Sequence, residues 1–392
     1  MASCTPRRSA DVKGPQIPRQ RRFGALDIGA QLALLVALVL LGLWIAGNVR
    51  VNLESRQVGS GFDFLLDPAG FDVSESIIDY HYGDSYLRAF AAGMANTLRA
   101  ALPAVLGATL IGFLLGICLV ARHPMLRGFA RVYVDTVRNL PLLVQVLLWY
   151  FSLTTLLPES ANALNLGSAL FVSKAGISLP LPVGNLSLWI MLTLALGLVV
   201  AAWLLARRSF VPIGRLTLGT LAMAALLGFA VPRLTGVPYE VELPQLGAYG
   251  YSGPLTLSPE YFALVAALTL YSAAYVAEIV RAGIQAVARG QSEGAHALSL
   301  TRSQTLFRIV LPQALRVMVP PYTSQVVNTI KNSSLAVAIG YQDIVSVATT
   351  AMNQNGRAIE CIAIIGAVYL SLSLLVSAVL NVYNRRAGIQ ER

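Results

Sequence analysis

Long apolar stretches alternate along this chain with short segments rich in charge. Runs without a charged side chain lie at 28–49, 100–121, 139–158, 175–206, 216–232, 261–277 and 361–384. A helix crosses the hydrocarbon core with about 20 apolar residues, within a range of roughly 17 to 25. An eighth stretch, 317–330, is shorter and more polar and is read as the remaining span. Membrane-spanning sheet is not expected, because open strand edges cannot sit in lipid and no ten-residue alternating pattern repeats. The predicted fold is all-α: a polytopic membrane protein of about eight transmembrane helices.

Composition supports lipid as the solvent. Of 392 residues 56% are hydrophobic and 12% charged, against about 25% charged in a soluble globular chain. Such a chain has too few charges to coat a water-facing surface of its size. The net charge of +10 does not indicate a nucleic-acid partner, which would need a basic stripe on a soluble face. Here the basic residues sit between apolar blocks. Arg7, Arg8, Lys13, Arg19, Arg21 and Arg22 precede the first span, and Arg122, Arg127 and Arg131 follow the second. Arg207, Arg208 and Arg215 follow the fourth, Arg289, Arg302, Arg308 and Arg316 the sixth, and Arg385, Arg386 and Arg392 the eighth. The opposite loops are poorer in basic residues. Positive charge is retained on the cytoplasmic side, so both termini are expected there, which requires an even number of spans. The first apolar run is about twice the length of a signal-peptide core and follows a long basic tail, so it reads as an uncleaved anchor.

The domain organisation follows. Residues 1–27 form a cytoplasmic basic tail, 28–49 a first anchor helix and 50–88 a periplasmic loop. That loop carries Asp63, Asp67, Asp72, Glu75, Asp79 and Asp84 and reads as solvated. The first part of a helical core spans 89–157. An insertion at 158–257, with two further spans, separates it from the second part at 258–392, which contains a loop at 284–312. Pro103, Pro320 and Pro321 fall inside spans, where neighbouring helices or a cavity must satisfy the freed backbone groups.

No catalytic or metal constellation stands out. Cys4, Cys118 and Cys361 are far apart, as are His81, His123 and His296, so neither a zinc site nor a disulfide framework is indicated. Lys13, Lys174 and Lys331 are followed by Gly, Ala and Asn, which excludes a G-K-[ST] phosphate cradle. No cofactor is expected, and any ATP must be used by another polypeptide.

The loop at 284–312 is the most informative segment. It reads as helix, turn, helix. Ala286, Gly290, Gly294 and Ala297 recur at helical spacing, and such a stripe of small side chains admits close approach by another backbone. Thr301 and Gln304 match a capping box opening the second helix. Leu306, Ile309 and Val310 give that helix an apolar side, and Pro312 is read as a break before the next span. Taken alone, this pattern suits either an ordinary amphipathic loop or a helix that fits a partner's groove.

A resemblance to a known family favours the second. The loop resembles the E-A-A signature of importer permeases in the ATP-binding-cassette superfamily, with Glu293, Ala295, Ile309, Leu311 and Pro312 in register. Gly294 stands where the signature has its first Ala, and Ser299 where it has a Gly. A Gly there adopts positive φ freely whereas Ser is strained, so either the turn differs or some stability is lost. Asn96-Thr97-Leu98, the block from Tyr133 to Gln145, the block from Ala274 to Ala286, and Lys331 to Leu335 with Gly340 and Asp343 resemble polar-amino-acid permease subunits. The extra first span, the outer loop and the insertion resemble the larger membrane subunit of general L-amino-acid importers. The resemblance implies a type I importer fold and a role as one of two membrane subunits in the bacterial inner membrane, the other more often an unlike chain. It further implies two cytoplasmic ATPases, one on each signature loop, and a periplasmic amino-acid-binding protein. Glu293 would then meet the ATPase groove or cap its own loop.

Polar residues inside spans are costly and mark candidate pathway positions. Gln145 sits in the third span; Gln325, Asn328 and Thr329 sit in the seventh. Gln325 and Asn328 are expected on one side of their helix. Bonding between neighbouring helices is the competing explanation for these groups. Asp135 with Arg138, and Glu278 with Arg281, are spaced to pair near span ends. No mid-membrane carboxylate is identified. An ion-gradient-driven secondary amino-acid transporter, the runner-up, would show inverted repeats and ionisable midplane residues, and neither is seen. A membrane enzyme would need clustered His, Cys or carboxylates.

Overall fold

The computed structural model describes residues 25–55, 61–166, 170–183, 240–247, 250–252 and 255–387. Two compact units divide the chain, Met1–Gly61 and Phe62–Arg392. In the first, helix α1 (Ala25–Ser55) leaves its large apolar side chains from Leu32 to Ile45 exposed. A helix that is apolar all round requires a protein interior or lipid around it.

The second unit is built on α2 (Tyr86–Val120) packed along α5 (Pro259–Gln285). On α2, Ala100, Ala104, Ala108, Gly112 and Gly116 recur every fourth residue, and all are buried. Without a hydrophobic driving force in lipid, spans associate where small residues let backbones close together. At Gly116 the approach is so tight that a Cβ would lie 2.5 Å from Val280 Cβ and 2.8 Å from the Ala277 carbonyl oxygen.

Between them run α3 (Pro124–Asn139) and α4 (Leu142–Leu156), bent by 103°. Pro141 causes the break. Leu140 before it is extended, as the ring of a following proline requires. The segment 122–138, expected as a basic loop, is thus mostly helix.

Beyond α5 lie α6 (Arg289–Ala297), α7 (Arg302–Thr305), a π-turn (Leu306–Val310) and α8 (Leu311–Asn332). Then come a 3-10 turn (Ser333–Ile339), α9 (Ile344–Asn355) and α10 (Ala358–Ala387). Sequence reading did not identify α9, whose twelve residues bury Ile344, Val347, Ala348 and Ala351. The segment before α2, expected as a solvated loop, packs into the same core: Phe64, Ala69, Val73 and Tyr80 are buried with α2 and α9 residues. Its acidic residues mask an apolar pattern that only the packing reveals.

Among the described residues, four helices are long and apolar enough to cross a membrane, and up to six if each bent pair is one span. The expected span at 216–232, and the part of that at 175–206 beyond 183, lie outside the described residues. The latter does not begin as a helix. Gly176–Leu179 (β3) and Leu181–Val183 (β4) are strands. With β1 (Leu164–Leu166), β2 (Leu170–Ser173) and β8 (Leu255–Leu257), β3 forms a sheet in the order β1-β2-β3-β8. β4 pairs with β5 (Glu240–Glu242), and β6 (Gln245–Gly247) with β7 (Gly250–Ser252). These strands are far shorter than the 9–11 residues that cross a bilayer. The β3–β8 pairing, Ile177 opposite Leu257, brings residues 176–179 and 255–257 together shortly after α4 and just before α5.

Candidate functional site

The loop at 284–312 folds as a helix, a turn and a helix. In α6 only Ala295 is buried. Ala286, Gly290, Gly294 and Ala297 are all exposed, and a Cβ added at Gly290 or Gly294 would meet nothing within 4 Å. The small-residue stripe is therefore uncovered among the described residues. Glu293 is exposed beside it and makes no hydrogen bond or ion pair among the described residues, so it does not cap its own loop.

The turn takes the geometry its sequence resists. Leu298, after α6, sends its amide to the Gly294 carbonyl at 3.1 Å. Ser299 follows with φ of 59°, the left-handed region where a Cβ clashes with the next carbonyl. Leu300 then closes the turn by donating to the Ala295 carbonyl at 3.1 Å. The capping box is present: Thr301 N donates to Gln304 Oε1 at 2.9 Å, and Gln304 N to Thr301 Oγ1 at 3.3 Å.

Pro312 does not break the chain. It lies in the first turn of α8, and helical backbone runs through Val310 and Leu311. The π-turn absorbs the proline, with Leu311 N donating five residues back to the Leu306 carbonyl. A widened turn of this kind re-pairs backbone groups around a residue that lacks an N–H. Ile309 lies within it, and its carbonyl accepts from Gln313 Nε2 at 3.0 Å. Gln313 also reaches Gln291 Oε1 at 3.3 Å, tying α8 to α6.

The polar residues inside spans divide. Gln145 is buried, and its Nε2 donates to the carbonyls of Val137 (2.9 Å) and Leu140 (3.1 Å), which closes the Pro141 break. Thr329 is buried and its hydroxyl bonds Ser272 on α5 at 2.8 Å, so both groups are committed within the chain. Gln325 shares the buried face of Thr329, one turn away. Asn328 is exposed. The expectation that Gln325 and Asn328 share a face therefore fails: three residues turn a helix by about 300°, and the edge of the buried stripe falls between them.

The block residues at the far end meet one another. Thr97 Oγ1 accepts from Ile344 N at 3.1 Å, and Tyr341 hydroxyl donates to the Asn96 carbonyl at 3.0 Å. Asn96 Nδ2 donates to the Gln342 carbonyl at 2.9 Å. Asp343, fully buried, accepts from Val345 N (3.1 Å), Ser346 N (2.9 Å) and the Tyr369 hydroxyl (3.4 Å). The sequence marked Asp343 only as part of a resemblance; its capping role had a clue in its place just before an apolar run, the signature of a helix cap. Near the other end, Glu278 pairs with Arg281 at 2.7 Å as its spacing predicted. Arg138 crosses to Glu278 at 3.7 Å rather than pairing with Asp135, and its guanidinium lies over the Tyr275 ring.

Membrane-length helices, a tightly packed small-residue core and an exposed helical loop define a multi-pass membrane transport component. Residues 108–389 match the family described as binding-protein-dependent transport system inner membrane component, and the chain belongs to that family. Its members act in transport rather than as enzymes. The chain is 39% identical over 370 residues to the putative amino-acid ABC transporter permease protein YhdX of Escherichia coli K12, covering 92% of this chain and 94% of that one. It is 38% identical to the general L-amino acid transport system permease protein AapQ of Rhizobium johnstonii, covering 92% of each. The glutamate/glutamine/aspartate/asparagine transport system permease protein BztB of Rhodobacter capsulatus is 34% identical, with 95% of each covered.

Proposed function

We propose that this chain is a transmembrane permease subunit of an ATP-binding-cassette importer that moves amino acids from periplasm to cytoplasm, energised by a separate ATPase. Full-length similarity to amino-acid permeases supports the substrate class. The uncovered stripe Gly290–Gly294 with Glu293 beside it supports the coupling role. Gly290, Glu293, Gly294, Ala295, Ser299, Ile309, Leu311 and Pro312 form the element by which an ATPase moves the spans: α6 is the contact, and the capped turn and π-turn transmit its displacement to α8. The partners are two ATPase subunits, a periplasmic amino-acid-binding protein and a second permease subunit of a different chain. Both termini lie in the cytoplasm, which the basic residues around 284–316 support. Residues 89–157 and 258–392 act as one core, interrupted by the insertion at 158–257 and preceded by the anchor at 28–49. The pathway includes Gln325 and Asn328.

The decisive test pairs Glu293→Lys with Gly294→Trp. Both positions are exposed, and Gly294 has open space around it, so membrane insertion is retained. Co-purification of the ATPase and ATP-dependent uptake are both lost; retention of either rejects the coupling role. An ion-gradient-driven transporter would keep uptake in proteoliposomes without ATP.

A further inference from the structure

A second site lies between α2, α3 and α5. A cavity of about 530 Å³ is lined there by Arg127, Arg131 and Arg281 with Asp135 and Glu278, and by Leu119, Val120, Val134 and Ile284. That volume falls within the ~300–1,000 Å³ of small-molecule sites. The charges are unevenly matched. Glu278 is already held by Arg281, at 2.7 and 3.0 Å, and by Arg138. Arg127 is anchored by its Nε and one terminal nitrogen to the Ala121 carbonyl, at 3.1 and 2.8 Å, which closes the end of α2 and leaves the other terminal nitrogen available. Arg131 makes no hydrogen bond among the described residues. Three guanidiniums thus share two carboxylates, Asp135 and Glu278, Arg127 and Arg131 keep open donors, and a guanidinium fork matches the oxygens of a phosphate.

The same helix carries a second stripe. Met125, Phe129 and Val132 recur at i, i+4 and i+7 on α3 and are exposed at 77%, 72% and 67%. A basic stripe through Arg127 and Arg131 thus runs beside an apolar one that nothing among the described residues covers. By the orientation proposed above, this is the cytoplasmic leaflet, where anionic lipids accumulate and basic pockets between spans hold their head groups.

The geometry points to a binding site for a phosphate group, that of an anionic phospholipid, with Arg127 and Arg131 on the phosphate and the Met125–Phe129–Val132 stripe along the acyl chain. The apolar walls and that stripe favour the lipid over a soluble phosphate, which shares the same chemistry. The site borders the start of the coupling loop through Ile284 and Gln285, but it uses no α6 residue and does not depend on an ATPase binding there.

The test uses the full chain purified in mild detergent. Native mass spectrometry counts phosphatidylglycerol retained by the wild type, Arg131→Ala, Arg131→Lys and Arg122→Ala. Arg122 is an exposed arginine outside the cavity. Because the exposed Arg131 side chain makes no hydrogen bond among the described residues, its loss leaves the fold intact, and near-wild-type thermal unfolding of the variant checks this. Retention is expected to fall on the order of tenfold in Arg131→Ala, less in Arg131→Lys, and not at all in Arg122→Ala. A separate arm adds inorganic phosphate to delipidated protein. Arg131-dependent stabilisation by phosphate without lipid retention would uphold the phosphate site but assign it a soluble ligand. Equal lipid retention in Arg131→Ala and Arg122→Ala, with no effect of phosphate, would overturn the proposal.

Discussion

Gly116→Ala probes how closely α2 and α5 approach. The new methyl would sit 2.5 Å from Val280 Cβ and 2.8 Å from the Ala277 carbonyl oxygen. Carbon atoms pack at about 3.5–4.0 Å, so the helices must separate locally by about 1 Å. One of the contacts is backbone, which no rotamer change relieves. Overpacking of this kind costs about 1–3 kcal/mol, and the helix propensity gained over Gly returns up to ~1 kcal/mol. The expected net loss is about 1–2 kcal/mol. Gly112→Ala meets the same obstacle, 2.6 Å from Val276 Cβ and 2.7 Å from the Ala273 carbonyl oxygen. The double variant is expected to lose less than the sum, because separation at one site relieves the other. Gly128→Ala on α3 is the control: a Cβ there meets nothing within 4 Å, so stability stays level or rises. Unfolding of the purified chain by SDS in mixed micelles, followed by tryptophan fluorescence, reads the difference. If Gly116→Ala behaves like Gly128→Ala, the close approach is not what holds these helices.

Three other outcomes are expected. Ser299→Gly removes left-handed strain of about 1–2 kcal/mol but adds ~0.5–1 kcal/mol of unfolded-state entropy, so the turn gains roughly 0.5–1 kcal/mol; amide exchange over 295–305 slows, and unchanged exchange refutes the strain. Asp343→Ala loses a helix cap and strands three part-buried donors, the Val345 and Ser346 amides and the Tyr369 hydroxyl, a loss of about 2–3 kcal/mol, while Asp343→Asn keeps an acceptor and retains more than half of it; equal thermal stability of the two variants contradicts the capping role. Alanine at Gln325 and Asn328 changes uptake kinetics more than assembly, and unaltered kinetics in proteoliposomes removes them from the pathway.

The helices that sequence reading placed correctly are those whose reason for existing is local. Apolar length marked α1, α2, α5 and α10, and Thr301 with Gln304 marked the start of α7, because a capping box is closed by residues three apart. Ser299 was legible as a residue in a glycine's position, and its φ of 59° accords with that. The every-fourth-residue run of Ala and Gly on α2 was equally present in the sequence but was not used, since small residues carry no hydropathy signal of their own.

Elements that depend on partners distant in the chain were not legible. The acidic segment before α2 folds because Phe64 and Tyr80 find α2 and α9. α9 itself is short and half-polar, and α3 was hidden by its arginines. Asn328 and Gln325 parted company because burial is decided by what each face meets.

From sequence alone came the membrane as solvent, the side that basic residues favour, the helical character of the core and the exposed signature loop, since each depends on hydropathy, charge or spacing within a few residues. Only the tertiary structure decided which small residues touch, that Gln145 and Thr329 bond within the chain, that Arg138 crosses to Glu278, and that residues 176–179 and 255–257 meet as strands. Those outcomes depend on contacts between residues far apart in the chain, and no local pattern encodes the distance between them.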